Sequence, residues 1–170
     1  MWDFQMDFLL DDTFFMEAAL LQAKKAALKD EVPIGCVIVQ GGDTIIARAY
    51  NRTEQNNSQI YHAEIIALAQ AGKKIGDWRL TGCRIYVTLK PCVMCFSAIL
   101  LSRIDGIVFG ADSPLFGYRL DKQVTSSIYN DRLFKRALSS LSIREGVCAD
   151  QARLLLQDFF KKKRSSGGQS

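Results

Sequence analysis

The chain has 170 residues, of which 48% are hydrophobic and 24% are charged. This composition is typical of a soluble globular protein and excludes disordered and fibrous classes. No apolar run approaches the roughly 18 residues that cross a bilayer, so we expect no association with a membrane. A chain of this length buries one core. We therefore predict a single domain over residues 1–164 and a disordered tail over 165–170.

Charge is unevenly distributed along the chain. The net charge is +4, but residues 1–31 carry three basic and seven acidic residues, a balance of −4 that leaves +8 for the remainder. Four adjacent cations, Lys161 to Arg164, follow Phe159 and Phe160 near the C-terminus. Such a run is usually a solvated chain end, but cations beside aromatic rings also suit the backbone and bases of a nucleic acid. Both interpretations stay open at this point.

The N-terminal residues and the cysteines indicate the cellular compartment. Four aspartates and no Lys or Arg precede Lys24, the reverse of a secretory signal. Five cysteines in a chain without an export signal are typical of a reducing environment, where thiols stay free. A cytoplasmic location is therefore predicted, with thiols available to a metal.

The first part of the chain predicts a helix and a hairpin. Apolar residues recur at intervals of three and four after Thr13, which is expected to cap a helix that Pro33 stops. Two strand-like runs follow at residues 34–39 and 44–50. The glycines between them suit a hairpin turn.

The remainder of the chain alternates between helical and strand-like patterns. Residues 112–140 give no clear prediction. The other predicted elements are helices at 63–72, 91–102 and 150–163 and strands at 83–89, 106–110 and 142–147. Strands that alternate with helices favour a three-layer α/β/α domain with a central mixed sheet of about five strands.

Two cysteines form the motif P-C-V-M-C at the start of a predicted helix. A lone C-x-x-C is compatible with a redox pair, a zinc site or coincidence. Residues three apart share one helix face, and a helix N-terminus lowers the pKa of thiols, so Cys92 and Cys95 can both face one metal as thiolates. A catalytic zinc ion needs a third protein ligand and an open position.

The only histidine in the chain, His62, supplies a candidate third ligand. It stands two residues before Glu64, and on a regular helix those side chains would point about 200° apart. They converge only if His62 precedes the regular helix, with the small Ala63 leaving room beside the backbone. An unligated carboxylate next to the metal can then serve as a base.

The combination H-x-E followed by P-C-x-x-C is a known signature of zinc deaminases that act on nucleobases. A structural zinc site is the alternative, and it would need a fourth ligand. Cys36, Cys83 and Cys148 are candidates for that ligand, although small buried residues explain them more simply.

At these residues the chain resembles the cytidine deaminase superfamily and, within it, the bacterial tRNA adenosine deaminases. The resemblance covers most of the chain and implies a cytidine-deaminase-like fold. It implies Zn²⁺ as the cofactor, bound by His62, Cys92 and Cys95, with Glu64 moving protons. The segments that carry it include E-V-P-I-G-C-V-I-V, A-Y-N-R, H-A-E-I-I-A-L, Y-V-T-L-K-P-C-V-M-C, V-F-G-A and L-L-L-Q-D-F-F-K-K-K-R.

The resemblance also implies a substrate and its contacts. The expected reaction is hydrolytic deamination of the wobble adenosine in a tRNA anticodon stem-loop, giving inosine and ammonia. The base-binding residues carried over are Asn51, which would hydrogen-bond the base, with Ile34, Ala63 and Leu89 around it. Phe159 and the basic tail would hold flanking nucleotides. A homodimer is expected, with the apolar residues 96–101 near its interface.

Three positions depart from the pattern of the tRNA enzymes, namely Lys90, Tyr61 and Ser113. None belongs to the predicted zinc ligands, but all lie where substrate choice can change. One alternative is therefore a deaminase of free guanine, cytosine or a nucleoside. A second is a zinc-stabilised RNA-binding module without turnover, for which Glu64 would have no use.

Overall fold

The computed structural model describes residues 4–118 and 132–166, with side chains described within 12–118 and 135–165. In chain order the elements are helix α1 (Phe4–Leu28), strands β1 (Gly35–Gln40) and β2 (Thr44–Tyr50), helix α2 (Ala63–Ile75), strand β3 (Cys83–Leu89), helix α3 (Val93–Leu101), strand β4 (Gly106–Ala111), helix α4 (Arg132–Ser140), strand β5 (Ser142–Arg144) and helix α5 (Ala149–Ser166).

The strands form one mixed sheet in the order β2-β1-β3-β4-β5. Strand β1 is antiparallel to β2 and β3, whereas β3, β4 and β5 are mutually parallel. The predicted hairpin is confirmed, because Gly41 and Gly42 turn the chain with φ of 65° and 90°, values that glycine adopts without strain. The prediction of a mixed sheet of about five strands is also confirmed.

Helices cover both faces of the sheet, which explains why strand β1 is almost uniformly apolar. Its residues alternate between two core clusters. Cys36 and Ile38 join the cluster that contains residues of α2 and α3. Val37 and Val39 join the cluster that contains residues of α1. With α5 also packed against β3 and β4, the three-layer α/β/α prediction is confirmed.

Helix α1 begins earlier than predicted. The helix starts at Phe4 and Thr13 lies inside it, so the prediction that Thr13 caps it is wrong. The physical reason is that residues 4–12 contain no glycine or proline, and nothing in them ends the helix. Asp12 is buried in α1, where it accepts hydrogen bonds from Tyr86 Oη at 2.7 Å and Arg144 at 2.8 Å.

Two helix ends also differ from the predictions. Helix α2 passes Gly72 and ends at Ile75, because Gly76 takes the left-handed conformation and donates its N–H to the Gly72 carbonyl. Helix α5 continues to Ser166, so residues 165 and 166 are helical rather than part of a disordered tail. The remaining predicted tail, 167–170, lies outside the described residues. Helix α4 has no counterpart among the predicted elements.

The topology brings four chain segments to one edge of the sheet. Gly35 at the start of β1 pairs with Tyr50 at the end of β2, and its N–H donates to Thr88 near the end of β3. Antiparallel pairing therefore places the residues before β1 beside those after β2 and β3. Helices α2 and α3 both begin from loops at this edge.

Spanning a bilayer requires a long and strongly apolar helix, and none occurs in the described parts of the chain.

Candidate active site

His62 occupies the residue directly before helix α2. Its backbone is extended, with φ of −70° and ψ of 152°, and its side chain makes no capping hydrogen bond. Because His62 precedes the regular helix while Glu64 lies in the first turn, the two side chains need not point apart. The prediction that His62 lies at the helix start is confirmed.

The two cysteines of the P-C-V-M-C motif have a similar setting at helix α3. Cys92 precedes the helix in an extended conformation, and Cys95 is buried in its first turn. His62 Nδ1 lies 3.7 Å from Cys92 Sγ and 3.4 Å from Cys95 Sγ. The ligand atoms of these three residues all lie within 4.8 Å of one another. Among the described residues, no other His, Cys, Asp or Glu joins this group.

Cys95 donates its thiol proton in a hydrogen bond to the Cys92 sulfur. The hydrogen bond from Cys95, assisted by His62, lowers the pKa of Cys92 to about 4. Hydrogen bonding to Cys92 and burial raise the pKa of Cys95. Binding of a divalent cation replaces this proton, because both cysteines ligate as thiolates.

Glu64 is a buried carboxylate beside this group but not a member of it. Only 3% of the residue is exposed, and its Oε2 atom has no partner in the described structure. Burial raises the pKa of the Glu64 carboxyl, while a hydrogen bond to its own backbone N–H and the nearby His62 oppose that shift. A buried carboxylate oxygen without a partner is rare in proteins unless a ligand or water completes it.

Asn51 lies at the same edge of the sheet, directly after β2. It is 3% exposed, its N–H donates to the carbonyl of Ile34, and its Oδ1 is buried without a described partner. Ala63 is fully buried at the first position of α2, and Leu89 ends β3, three residues before Cys92. The structure therefore brings the candidate base-binding residues of the core domain to the edge that carries the cysteines.

Phe159, the predicted contact for flanking nucleotides, lies on the C-terminal helix α5 rather than at the starts of α2 and α3, which carry the ligands. Helix α5 packs against α1, β3 and β4, and the ring of Phe159 contacts Phe160 edge-on. One further residue of the site escapes prediction from the sequence. Glu31 is fully buried and hydrogen-bonds Asn51, although a single glutamate before Pro33 gives no chemical signal beyond its place in a family-like segment.

Comparison with known proteins connects this geometry to a family. The model of the cytidine and deoxycytidylate deaminase zinc-binding region matches residues 10–111. The chain belongs to the cytidine and deoxycytidylate deaminase family. The matched region contains His62, Glu64, Cys92 and Cys95, so the group described above falls within the family's zinc-binding region.

Relatives with stated activities cover most of the chain. A tRNA-specific adenosine deaminase of Streptococcus pyogenes is 38% identical over 92% of this chain and 94% of its own. A structure from a study of A-to-I editing by tRNA:A34 deaminases is 34% identical, with a TM-score of 0.70 over 85% of this chain and 99% of that one. A guanine deaminase of Bacillus subtilis is 32% identical, with a TM-score of 0.55 over 58% of this chain and 63% of its own.

The donor atoms of this family member fit zinc. With Zn–S near 2.3 Å and Zn–N near 2.0–2.1 Å, tetrahedral ligands place N and S atoms about 3.6 Å apart. The observed N···S distances of 3.4 and 3.7 Å bracket that value. One imidazole and two thiolates are ligands that zinc prefers, and three protein ligands leave one position open. This is the arrangement of a catalytic rather than a closed structural site.

Replacement of Cys95 tests the three-ligand site. We expect Cys95→Ala to lower the zinc content of the purified protein well below about one ion per chain, because two remaining ligands hold zinc weakly. Cys148→Ala is the matched control, since Cys148 lies outside the group, and it should keep the wild-type content. Elemental analysis measures both, and full zinc content in Cys95→Ala would contradict the assignment.

Proposed function

We propose that this protein is a zinc-dependent deaminase that converts the wobble adenosine of tRNA to inosine in the cytoplasm. The observation that carries the proposal is the buried Glu64 carboxylate, which lies beside the three candidate zinc ligands without ligating. A purely structural zinc site has no use for such an acid. Two relatives support the choice of substrate. One is the tRNA-specific adenosine deaminase of Streptococcus pyogenes, of which the chain covers 94%, and the other is the structure from the study of tRNA:A34 deaminases.

The chemistry is hydrolysis of the bond between C6 and the amino nitrogen of adenine. When bound, zinc supplies Lewis acidity that brings the pKa of water towards neutrality. Glu64 acts as the proton carrier: it accepts a proton from the attacking water and returns protons to the ring nitrogen and the departing amine. Its raised pKa suits this exchange, because a carboxyl group that stays ionised far below neutral pH would return protons poorly. The products are inosine and ammonia.

The residues around the site provide a place for the base. No donor from the described part of the chain reaches Asn51 Oδ1, so this oxygen can accept a hydrogen bond from an N–H group of the substrate. Ile34 and Leu89 are half-buried apolar side chains, and Ala63 adds no side chain beyond a methyl group. A base that reaches these residues must be free of pairing, which the anticodon loop of a tRNA provides.

The basic end of α5 is suited to hold the RNA outside the base pocket. Lys163 forms an ion pair with Asp30, so this end of α5 lies close to Glu31, the hydrogen-bond partner of Asn51. Lys161 and Lys162 are exposed. Phe160 is 44% exposed next to them, so cations and an aromatic ring lie together as single-stranded nucleic acid prefers.

The second candidate is a deaminase of free guanine or another free base. The similarity to a guanine deaminase supports it over little more than half of the chain, and Lys90 departs from the tRNA enzymes. However, the Lys90 amine lies 3.2 Å from Asp112 and over the rings of Phe109 and Tyr118. Lys90 is therefore engaged in contacts within the protein, and its departure from the tRNA enzymes is weak support for a free base. In addition, a free base would not contact the basic end of α5.

Glu64→Gln tests the proton carrier and the substrate together. We expect wild-type protein to form inosine and ammonia on an anticodon stem-loop with a wobble adenosine, and to release no ammonia from free adenosine, cytosine or guanine. Glu64→Gln should lose about 100-fold to 10,000-fold in kcat or more, because an amide cannot exchange the proton, while zinc content and melting temperature stay unchanged.

The controls separate the alternatives. Glu145→Gln makes the same change at an exposed side chain and should leave activity intact. Turnover of a free base without turnover of the RNA would favour the second candidate, a free-base deaminase. Zinc binding without turnover in wild-type protein would favour a non-catalytic RNA-binding module.

Neutralising the basic end of α5 tests its proposed contact with RNA. The double variant Lys161→Gln, Lys162→Gln should bind the stem-loop more weakly and reduce the dependence of log affinity on log salt by about 0.7 for each phosphate that the protein ceases to neutralise. Removal of two charges elsewhere, Lys24→Gln with Lys25→Gln, is the matched control and should have little effect. An unchanged salt dependence in the double variant Lys161→Gln, Lys162→Gln would show that the basic end of α5 does not contact the RNA.

We also infer a homodimer from the family resemblance. Within the stretch 96–101, Phe96, Ile99 and Leu100 are buried in the protomer's own core, whereas Leu101 is 58% exposed. A more extensive exposed apolar surface is the groove of about 400 Å³ on α2, and we infer that it belongs to the interface; it is lined by Ile60, Tyr61, Ile65, Ile66, Ala69, Gln70 and Lys73.

Light scattering tests this interface. We expect wild-type protein to be a dimer and Ile60→Asp to be monomeric, because a charge at this 58% exposed position would be buried without a partner. Leu154→Asp alters an equally exposed leucine on α5 and should remain dimeric. A monomeric wild-type protein would contradict the homodimer, and a dimeric Ile60→Asp variant would place the interface elsewhere.

A further inference from the structure

Glu31 is a buried carboxylate whose partners all belong to one short segment. Its side chain is fully buried, and its two oxygens receive four hydrogen bonds. The donors are Asn51 Nδ2 at 3.4 Å, Thr53 Oγ1 at 3.3 Å, the Glu54 N–H at 3.2 Å and the Gln55 N–H at 2.7 Å. Residues 51–55 are therefore organised around this single carboxylate.

The charge of Glu31 is balanced by these donors rather than by a cation. None of the ion pairs found in the described structure includes it. Burying a carboxylate costs free energy unless hydrogen bonds compensate for the water it loses. Because the hydrogen bonds of this carboxylate come from residues 51–55, its effect is to hold that segment, which begins with Asn51.

The local chain path turns Glu31 towards the interior. Asp30 takes the left-handed conformation, with φ of 61°, and Glu31 donates its N–H to the carbonyl of Ala26 at 3.1 Å. This reversal ends α1 and separates the two neighbouring acids. The side chain of Asp30 is 74% exposed, whereas Glu31 is fully buried.

The network fixes which end of the Asn51 amide remains available. Thr53 donates its hydroxyl hydrogen to Glu31 and accepts from Asn51 Nδ2 at 3.1 Å. The bonds to Thr53 and Glu31 both place the amide nitrogen against these side-chain oxygens. A flipped amide would place its oxygen against the carboxylate, which repels it. Asn51 Oδ1 is thus the amide atom that has no partner among the described residues, although it is buried.

We propose that Glu31 is a positioning residue that holds the Asn51 amide with its nitrogen inward, so that Asn51 meets the substrate base as a hydrogen-bond acceptor. The inference rests on the proposed function, because it assigns Asn51 to the base. It adds a chemical requirement for the substrate: the base must present an N–H group to this position. A base with only acceptors there would oppose Oδ1.

A double-mutant cycle tests this link. We expect Glu31→Gln to lower kcat/KM on the wobble-adenosine stem-loop by about 10-fold to 100-fold, the range expected when a buried hydrogen-bonded group loses its charged partner. In an Asn51→Ala background the same change should lower kcat/KM by less than about threefold, because Glu31 acts through an amide that is no longer present. Equal losses in both backgrounds would overturn the proposal.

Two further variants keep the test decisive. Thr53→Val removes the bridging hydroxyl but retains the carboxylate, and it should show the same dependence on Asn51 even if Glu31→Gln does not fold. Glu145→Gln makes the same chemical change at an exposed side chain outside this segment and should leave kcat/KM unchanged. Melting temperature and zinc content are measured for every variant, because a purely structural effect would lower stability equally with and without Asn51.

Failure of the inference and failure of the proposed function are distinguishable. If wild-type protein deaminates a free base and not the RNA, the proposed substrate fails, and the same cycle run on that base still tests the link between Glu31 and Asn51. If the RNA is the substrate and the cycle is additive, the proposed function stands and the positioning role fails.

Discussion

The convergence of two helix starts at one edge of the sheet is the constraint on which the site depends. His62 and Cys92 each precede a helix in an extended conformation, and neither side chain caps its own helix. Both are therefore free to face an ion across the gap between α2 and α3. The unpaired N–H groups at these helix starts also favour negative charge, which suits the Cys92 thiolate and the Glu64 carboxylate in the first turn.

Antiparallel pairing of β1 with β2 and β3 completes the site. It brings the residues before β1, including Glu31 and Ile34, beside Asn51 and the end of β3. Parallel pairing throughout would leave the start of β1 at the opposite edge. The mixed topology thus brings the proposed base-binding residues beside β1 and β2 close to the candidate metal ligands and the proposed proton carrier at the starts of α2 and α3.

Much of this arrangement is readable from the sequence. Spacing predicts the strands, the starts of α2 and α3 and the His62, Cys92 and Cys95 group, because local periodicity and metal ligand chemistry are both local signals. The start of α1 is harder to predict, since a Thr at position 13 is a plausible cap that the chain does not use. Glu31 escapes prediction because its role arises only from contacts about 20 residues away in sequence. The unequal pKa values of Cys92 and Cys95 likewise depend on a hydrogen bond that spacing does not reveal.

The buried Asp12 constrains the order in which the native contacts of the protein can form. Its carboxylate, in the first helix, is 1% exposed and pairs with Arg144 on β5, 132 residues further along the chain. During synthesis α1 leaves the ribosome long before this arginine exists, and a contact of such sequence separation forms slowly. The face of α1 that carries Asp12 therefore reaches its final ionic environment only after β5 has joined the sheet. The last strand, although only three residues long, closes the molecule on its first helix.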